Sequence, residues 1–362
     1  MSEYTKVLLL DSAYPVNVRN RKIIKTLDPV CEIRFCAWNR DGRTVKAEDA
    51  GAFMYTKISR YGARIKKVLN LIGFAWFIRK SIRHFKPGVI IASHWDMLVI
   101  ASLFAPKGSR LIYENLDMPT ASNELLRKLL VFFERMALKK TDAIIFASRF
   151  FEPEYRFFNG EKVVIENKPY KAEFAATGGN VNKANREPVI TFLGTVRYAD
   201  IMKRLIDAVK NLPAQLQVWG DGPDEALLRQ YAQGIGNITF YGRYEYSRIS
   251  SIYKQSDLVW AVYPSRDHNV KFAISNKYHE CILFATPGVF AAGTKLGELV
   301  TSQGTGFTVD PYSTESIADL IKKINSDHHL LEQCANKLLL NSESRFWEDY
   351  DRLIKDVVLK SE

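Results

Sequence analysis

The sequence predicts an α/β protein built from two doubly wound parallel sheets. Two observations predict it. Short apolar runs that end at Gly, Pro or a polar residue alternate with longer segments of helical period. That alternation then stops in a polar, Gly-rich stretch near residue 180 and starts again. A chain of 362 residues has room for two domains of ordinary size.

The elements follow in order. Lys6 to Asp11 reads as the first strand and Arg19 to Leu27 as a helix. Cys31 to Trp38 alternates like a second strand. Ala63 to Phe85 fits one or two helices with Val68, Leu69, Ile72, Trp76, Ile78 and Ile82 turned inward. Val89 to Ser93 is a buried strand ending at His94-Trp95-Asp96, and Ser109 to Glu114 is the next, with Asn115-Leu116-Asp117 at its rim. A long helix covers Asn123 to Lys140, and Thr141 to Ser148 returns to the sheet. Residues 162–186 read as the crossing between domains, with a hinge-like composition from Ala175 to Asn185.

The second half repeats the architecture. Strand Val189 to Leu193 ends at Gly194 and leads to helix Asp200 to Leu212. Strand Leu216 to Trp219 ends at Gly220-Asp221-Gly222-Pro223. Helix Glu225 to Ala232 and strand Ile238 to Tyr241, ending at Gly242, follow. Asp257 to Tyr263 and Val289 to Ala292 are buried strands flanking a helix that Ser275 caps. On that helix Tyr278, Cys281, Ile282 and Ala285 share the face toward the sheet. Thr294 to Glu298 reads as a loop leaving a strand, and a helix begins near Ser313. The domains are thus 1–168, a linker 169–186, 187–343, and a helix at 344–362 that crosses back to the first domain.

Composition narrows the function. Hydrophobic content is 47%, and the apolar runs at residues 68–78 and 97–105 are too short to span a bilayer. No signal-peptide pattern precedes Val7, so a cytoplasmic chain is expected. Cys31, Cys36, Cys281 and Cys334 lack CxxC spacing and read as buried thiols. Residues 1–168 hold 29 Lys and Arg against 17 Asp and Glu, a net +12. The remainder holds 22 against 23. Nine cations lie between Lys57 and Lys86 among aromatics (Lys57, Arg60, Arg64, Lys66, Lys67, Arg79, Lys80, Arg83 and Lys86), a patch suited to phosphates of lipid headgroups, lipid-linked diphosphates or nucleic acid.

The most informative stretch is Ser275-Asn276-Lys277-Tyr278-His279-Glu280 with Thr286-Pro287-Gly288 after it. Backbone N–H groups at Asn276 and Lys277, with the Lys277 charge, suit a phosphate. Glu280 then suits a ribose diol, against the alternative of a solvated carboxylate. This stretch resembles the donor-sugar signature of GT-B glycosyltransferases, especially the family 4 group, in which the matching Glu holds the ribose of a nucleotide sugar.

The resemblance covers nearly the whole chain and implies GT-B architecture, two Rossmann-like domains facing across a cleft. Phe192-Leu193-Gly194 matches the glycine that approaches the donor diphosphate. Gly242-Arg243-Tyr244 matches the loop against the base, and Gly293-Thr294-Lys295 the loop facing sugar and phosphates. It also departs. Phe272 stands where the family often has a sugar-binding Glu, Thr195 and Asp200 where it has Arg and Lys, and Leu116 where it often has His. Arg197 and Lys271 are the substitutes for the phosphate cations, and His94 and Asp117 are the candidates for acceptor contact. Ser275, Asn276, Lys277, Glu280, Gly194, Thr195, Arg243, Tyr244 and Thr294 form the expected donor set.

The resemblance implies a glycosyltransferase that moves a sugar from a nucleotide sugar to a hydroxyl, with retention, in cell-surface polysaccharide assembly. The chain is read as lacking an Asp-x-Asp metal motif, in keeping with a metal-independent GT-B site, and no metal or other cofactor is expected. The expected partners are the nucleotide sugar, a glycan or polyprenyl-diphosphate-linked acceptor and an anionic surface at the inner face of the membrane, not nucleic acid. Three other readings stay open: a nucleotide-sugar epimerase of the same fold, a basic nucleic-acid-binding protein, and the fold with catalysis lost, since Phe272, Thr195 and Leu116 occupy functional positions of the family.

Overall fold

A computed structural model describes residues 4–58, 64–174, 187–327, 329–341, 343 and 345–360. The hinge-like stretch 175–185 and Arg60 lie outside the described residues, as do the side chains of Arg64, Lys66, Lys67 and Val68. The chain divides into two compact units, Met1–Glu166 with Tyr350–Glu362, and Asn167–Asp349.

The first unit opens with β1 (Lys6–Asp11), α1 (Val18–Leu27), β2 (Glu32–Asn39), β3 (Phe53–Thr56) and α2 (Arg64–Phe85). It continues through β4 (Val89–Ser93), α3 (Trp95–Phe104), β5 (Arg110–Asn115), α4 (Glu124–Leu138), β6 (Ala143–Phe146) and β7 (Glu161–Val164). The seven strands form one parallel sheet in the order β3-β2-β1-β4-β5-β6-β7. Helices cover both faces, so the central strands are apolar on both sides: every residue of β4 is buried, whereas β3 and β7 at the edges are mostly half-buried. The connections through α2, α3 and α4 all run the same way along the sheet, which places the three helices on one face, with α3 packed against both others.

The second unit carries β8 (Val189–Leu193), α5 (Ala199–Val209), β9 (Gln215–Trp219), α6 (Glu225–Tyr231), β10 (Ile238–Gly242), α7 (Ile249–Gln255) and β11 (Leu258–Ala261). Then come α8 (His268–Phe272), α9 (Asn276–Phe284), β12 (Gly288–Ala291), α10 (Lys295–Gln303), β13 (Gly306–Val309), α11 (Thr314–Ser326) and α12 (His329–Leu339). Its six strands are parallel in the order β10-β9-β8-β11-β12-β13. Ile201, Met202, Leu205, Ile206 and Val209 of α5 pack with Ile317, Ile321 and Ile324 of α11 in one core. The last helix, α13 (Asp351–Leu359), returns to the first unit beside α1. Thr26 Oγ1 donates to Asp351 at 3.0 Å there, and Arg110 Nε to the Val357 carbonyl at 3.2 Å.

Three sequence expectations change. Lys295–Gln303 is a helix and not a loop, because Thr294 caps it and the segment then follows helical period. α3 and β3, unassigned in the sequence, occupy an apolar run and a short edge position whose signals are weak by themselves. The inner face of α2 is Phe74, Ile78, Ile82 and Phe85; Leu69, Ile72 and Trp76 point outward, with Trp76 57% exposed. All four cysteines are buried and free.

Candidate active site

In an open parallel sheet the ligand crevice opens at the carboxyl rim where the strand order reverses. In the second unit that point falls beside β8, which pairs with β9 on one side and β11 on the other. Gly194 leaves β8 there with φ +133°, a conformation costly for any side chain. The loop after β9 packs directly on it. A Cβ on Gly220 would lie 1.8 Å from the Gly194 carbonyl, and one on Gly222 would lie 2.3 Å from the Val196 carbonyl. Val196 N–H donates to Asp221 O at 2.9 Å, tying the two loops together at the rim. Thr195 and Arg197 are exposed on it, with the Arg197 guanidinium 4.8 Å above the Tyr198 ring.

Helix α9 starts at the same rim. Ser275 caps it by accepting from Lys277 N–H at 3.3 Å, so this amide is engaged and not open to a ligand as expected. Asn276 Oδ1 accepts from Asn167 Nδ2 at 3.1 Å. Residues Lys277 through Leu283 are all buried. Two charges inside such a helix require each other: Lys277 Nζ lies 2.6 Å from Glu280 Oε2. Tyr253 Oη donates to the same oxygen at 2.7 Å, and Tyr246 Oη to Oε1 at 3.4 Å. Burial works hardest against the Lys277 ammonium, but Glu280, through its charge and its hydrogen bond, together with Tyr244 and Tyr263 more than offsets it, and the pKa is raised. Glu280 Oε1 therefore carries only a long contact, which leaves it the better acceptor for a hydroxyl.

Tyr244, half-buried, belongs to this cluster. Burial raises its phenol, the Lys277 charge opposes, and the Glu280 carboxylate and Tyr263 add to the rise. Arg243 beside it is exposed. Trp219 stacks flat on Tyr241 at 3.9 Å, with Tyr244 edge-on at 6.4 Å. Lys271 is exposed on α8, and the Phe272 ring lies 5.3 Å from His268. Thr294 is committed to structure, donating to Ala291 O at 2.7 Å and accepting from Gly297 N–H at 3.0 Å.

His94 and Asp117 stand at the carboxyl rim of the first unit, after the neighbouring strands β4 and β5. His94 has φ +73°, a strained value held by its N–H donating to Glu114 O at 3.1 Å. Below it Asp11 accepts from Asn20 Nδ2 at 2.8 Å, and the same amide donates to Ser93 Oγ at 2.8 Å. Arg19 pairs with buried Glu114. The sequence pointed to none of these braces, nor to Tyr253 and Tyr246, because they join residues that are distant in the chain. Asp349-Tyr350-Asp351 does have Asp-x-Asp spacing, missed in the sequence, but Asp349 accepts from Phe346 N–H and Asp351 from Thr26. Among the described residues no group of three or more His, Cys, Asp or Glu is placed to hold a metal.

Residues 187–327 match the profile of the family described as Glycosyl transferases group 1. No curated protein matches the chain by sequence. Among solved structures it is similar to sucrose-phosphate synthase of Thermosynechococcus elongatus, with TM-score 0.72, 15% identity and 98% of each chain covered. HepE of Anabaena, solved with UDP, superimposes with TM-score 0.73 and 16% identity, over 98% of this chain and 99% of that one. WaaG, a glycosyltransferase of lipopolysaccharide biosynthesis, gives 0.69 and 13%, over 98% and 100%. The fold is GT-B, and the class defined by fold and family profile is glycosyltransferase. The residues that match the profile lie within the second unit and include the Gly194 loop and α9.

Proposed function

We propose that this glycosyltransferase moves a sugar from a nucleotide-sugar donor, bound on the second unit, to a hydroxyl of a glycan or lipid-linked acceptor. The observation that carries the reading is that the packed Gly194 and Gly220 loops and the Lys277–Glu280–Tyr253 cluster stand at one carboxyl rim. Gly194, with open space at its Cβ position, lets a diphosphate approach the backbone, and Gly220 and Gly222 let the next loop pack against it. Glu280 Oε1 takes the ribose hydroxyls, and Tyr244 stacks on the base. HepE was solved with UDP and with UDP-glucose, and a trehalose-6-phosphate protein from E. coli with UDP-2-fluoro glucose, which supports the same donor class here.

The chemistry breaks the bond between the sugar and the donor diphosphate, so negative charge grows on the departing oxygen. Arg197 and Lys271 neutralise that charge, and no metal takes part in this reading. His94 and Asp117 contact the acceptor. Transfer proceeds with retention, and the reaction serves cell-surface polysaccharide assembly at the inner face of the membrane. No helix among the described residues is long and apolar enough to cross a membrane, so association is by a surface. A thermal-shift panel of UDP, GDP, ADP and CMP sugars tests the donor assignment. Stabilisation by one nucleotide class supports it, and none by any contradicts it.

A further inference from the structure

Helix α4 is turned the wrong way round for water. Its inward side carries Glu134, buried and accepting from Tyr155 Oη at 2.6 Å and Tyr113 Oη at 3.0 Å. Its outward side carries Leu125, Leu126, Leu129, Phe132, Phe133 and Met136, all exposed, from 45% for Phe133 to 78% for Leu125. At 3.6 residues per turn these six fall in one stripe along the whole helix. Rotating the helix to bury the stripe would expose the Glu134 network, so the orientation is fixed by hydrogen bonds.

The stripe is bordered, not interrupted, by charge. Lys128, Arg135 and Lys139 follow one edge of it at helical spacing. Arg135 lies 4.5 Å over the Phe157 ring, and beside it a cavity of about 480 Å³ opens between Lys139, Thr141, Asn159 and Gly160. The acids of α4 are Glu134, on the inner side, and Glu124, paired with Arg127 and Lys128. On the same face of the sheet α3 exposes Leu103, and α2 exposes Leu69, Ile72 and Trp76, the last with the Arg79 guanidinium 4.8 Å over its ring.

We infer that α4, with the outer residues of α3 and α2, is an interfacial docking face that inserts its leucines and phenylalanines into an anionic lipid surface. An apolar stripe with a cationic edge and aromatic–cation pairs has the composition of a helix lying in the headgroup plane. So large an exposed apolar stripe marks a contact surface. Charge decides the occupant. A second copy of the chain would bring an identical cationic border and a +12 half against its own, whereas an anionic leaflet complements both. This deepens the surface association proposed above and rests on it, but it moves the contact from the basic start of α2 to α4 and makes insertion, not charge alone, the source of binding.

Flotation of the full chain with phosphatidylcholine vesicles, with and without phosphatidylglycerol, tests it. The wild type should float with the anionic vesicles, and Phe132→Ser with Phe133→Ser should weaken binding about a hundredfold at unchanged melting temperature. Lys128→Glu with Lys139→Glu should abolish the preference for anionic lipid. Equal flotation of wild type and the serine variant overturns the inference. So does a solution dimer that the serine substitutions split, without vesicle binding. Nucleotide affinity, read by calorimetry on the same lipid-free samples, reports the donor reading separately, so the two can fail independently.

Discussion

Lys277 and Glu280, one turn apart on the buried helix α9, form an ion pair of 2.6 Å that Tyr253 completes from α7 at 2.7 Å. A charge pair in such a place is held together by mutual need more than by net gain. Glu280→Ala should strand the ammonium and destabilise the chain by about 3–5 kcal/mol, while Glu280→Gln, which keeps an acceptor, should cost less than half of that. Urea denaturation measures both. An alanine variant within about 1 kcal/mol of wild type would show that the pair is not the anchor of the helix.

The loops beside it rest on a different constraint. Gly220 has φ +139°, and its Cβ would meet the Gly194 carbonyl at 1.8 Å, backbone against backbone. Gly220→Ala must push the two loops apart. It should destabilise by about 2–4 kcal/mol and weaken nucleotide binding by more than tenfold. Gly234→Ala, also at positive φ but with nothing near its Cβ, should cost only about 1 kcal/mol and leave binding alone. Equal effects from the two would remove the close approach as the explanation.

Much of this was legible in the sequence. The strands ending at Asp11, Ser93, Leu193 and Ala291 announce themselves, because strands covered on both faces are nearly continuous apolar runs. Ser275 as the cap of α9 also follows from local chemistry. What escaped is whatever depends on who lies opposite. Periodicity finds the apolar positions of α2 but not which of them meet the sheet, so Leu69, Ile72 and Trp76, expected inside, lie outside. Nor does spacing reveal that Tyr253, 27 residues from Glu280, would complete its carboxylate.

Glu134 gives a pH signature. Burial pushes its carboxyl up to about 7, against the hydrogen bonds from Tyr155 and Tyr113. With an unfolded value near 4.3, folding favours the protonated form, so the stabilisation is complete below about pH 4 and is lost as pH rises through about 7. Between pH 5 and 8 the wild type should lose about 2–3 kcal/mol from this group. Glu134→Gln should flatten that slope in urea midpoints taken across the range. A variant as pH-dependent as the wild type would assign the slope elsewhere.

Arg197 and Lys271 are exposed and make no contribution to the core, so their removal separates catalysis from folding. Each alanine variant should keep its melting temperature and lose about 10- to 1000-fold in kcat, because the cation acts on charge that develops only as the diphosphate leaves. Turnover within twofold of wild type for both would pass the role to other donors at the rim.

The central claim is that a nucleotide sugar binds the second unit with its ribose on Glu280. Calorimetric titration of UDP and GDP into the wild type and Glu280→Gln, with folding verified for each, addresses it most directly. One of the nucleotides should bind the wild type, and the glutamine variant should lose about 1–3 kcal/mol of that affinity as the charge-assisted bonds to the ribose weaken. Identical affinities in the two proteins, or no binding of either nucleotide to the wild type, would contradict it.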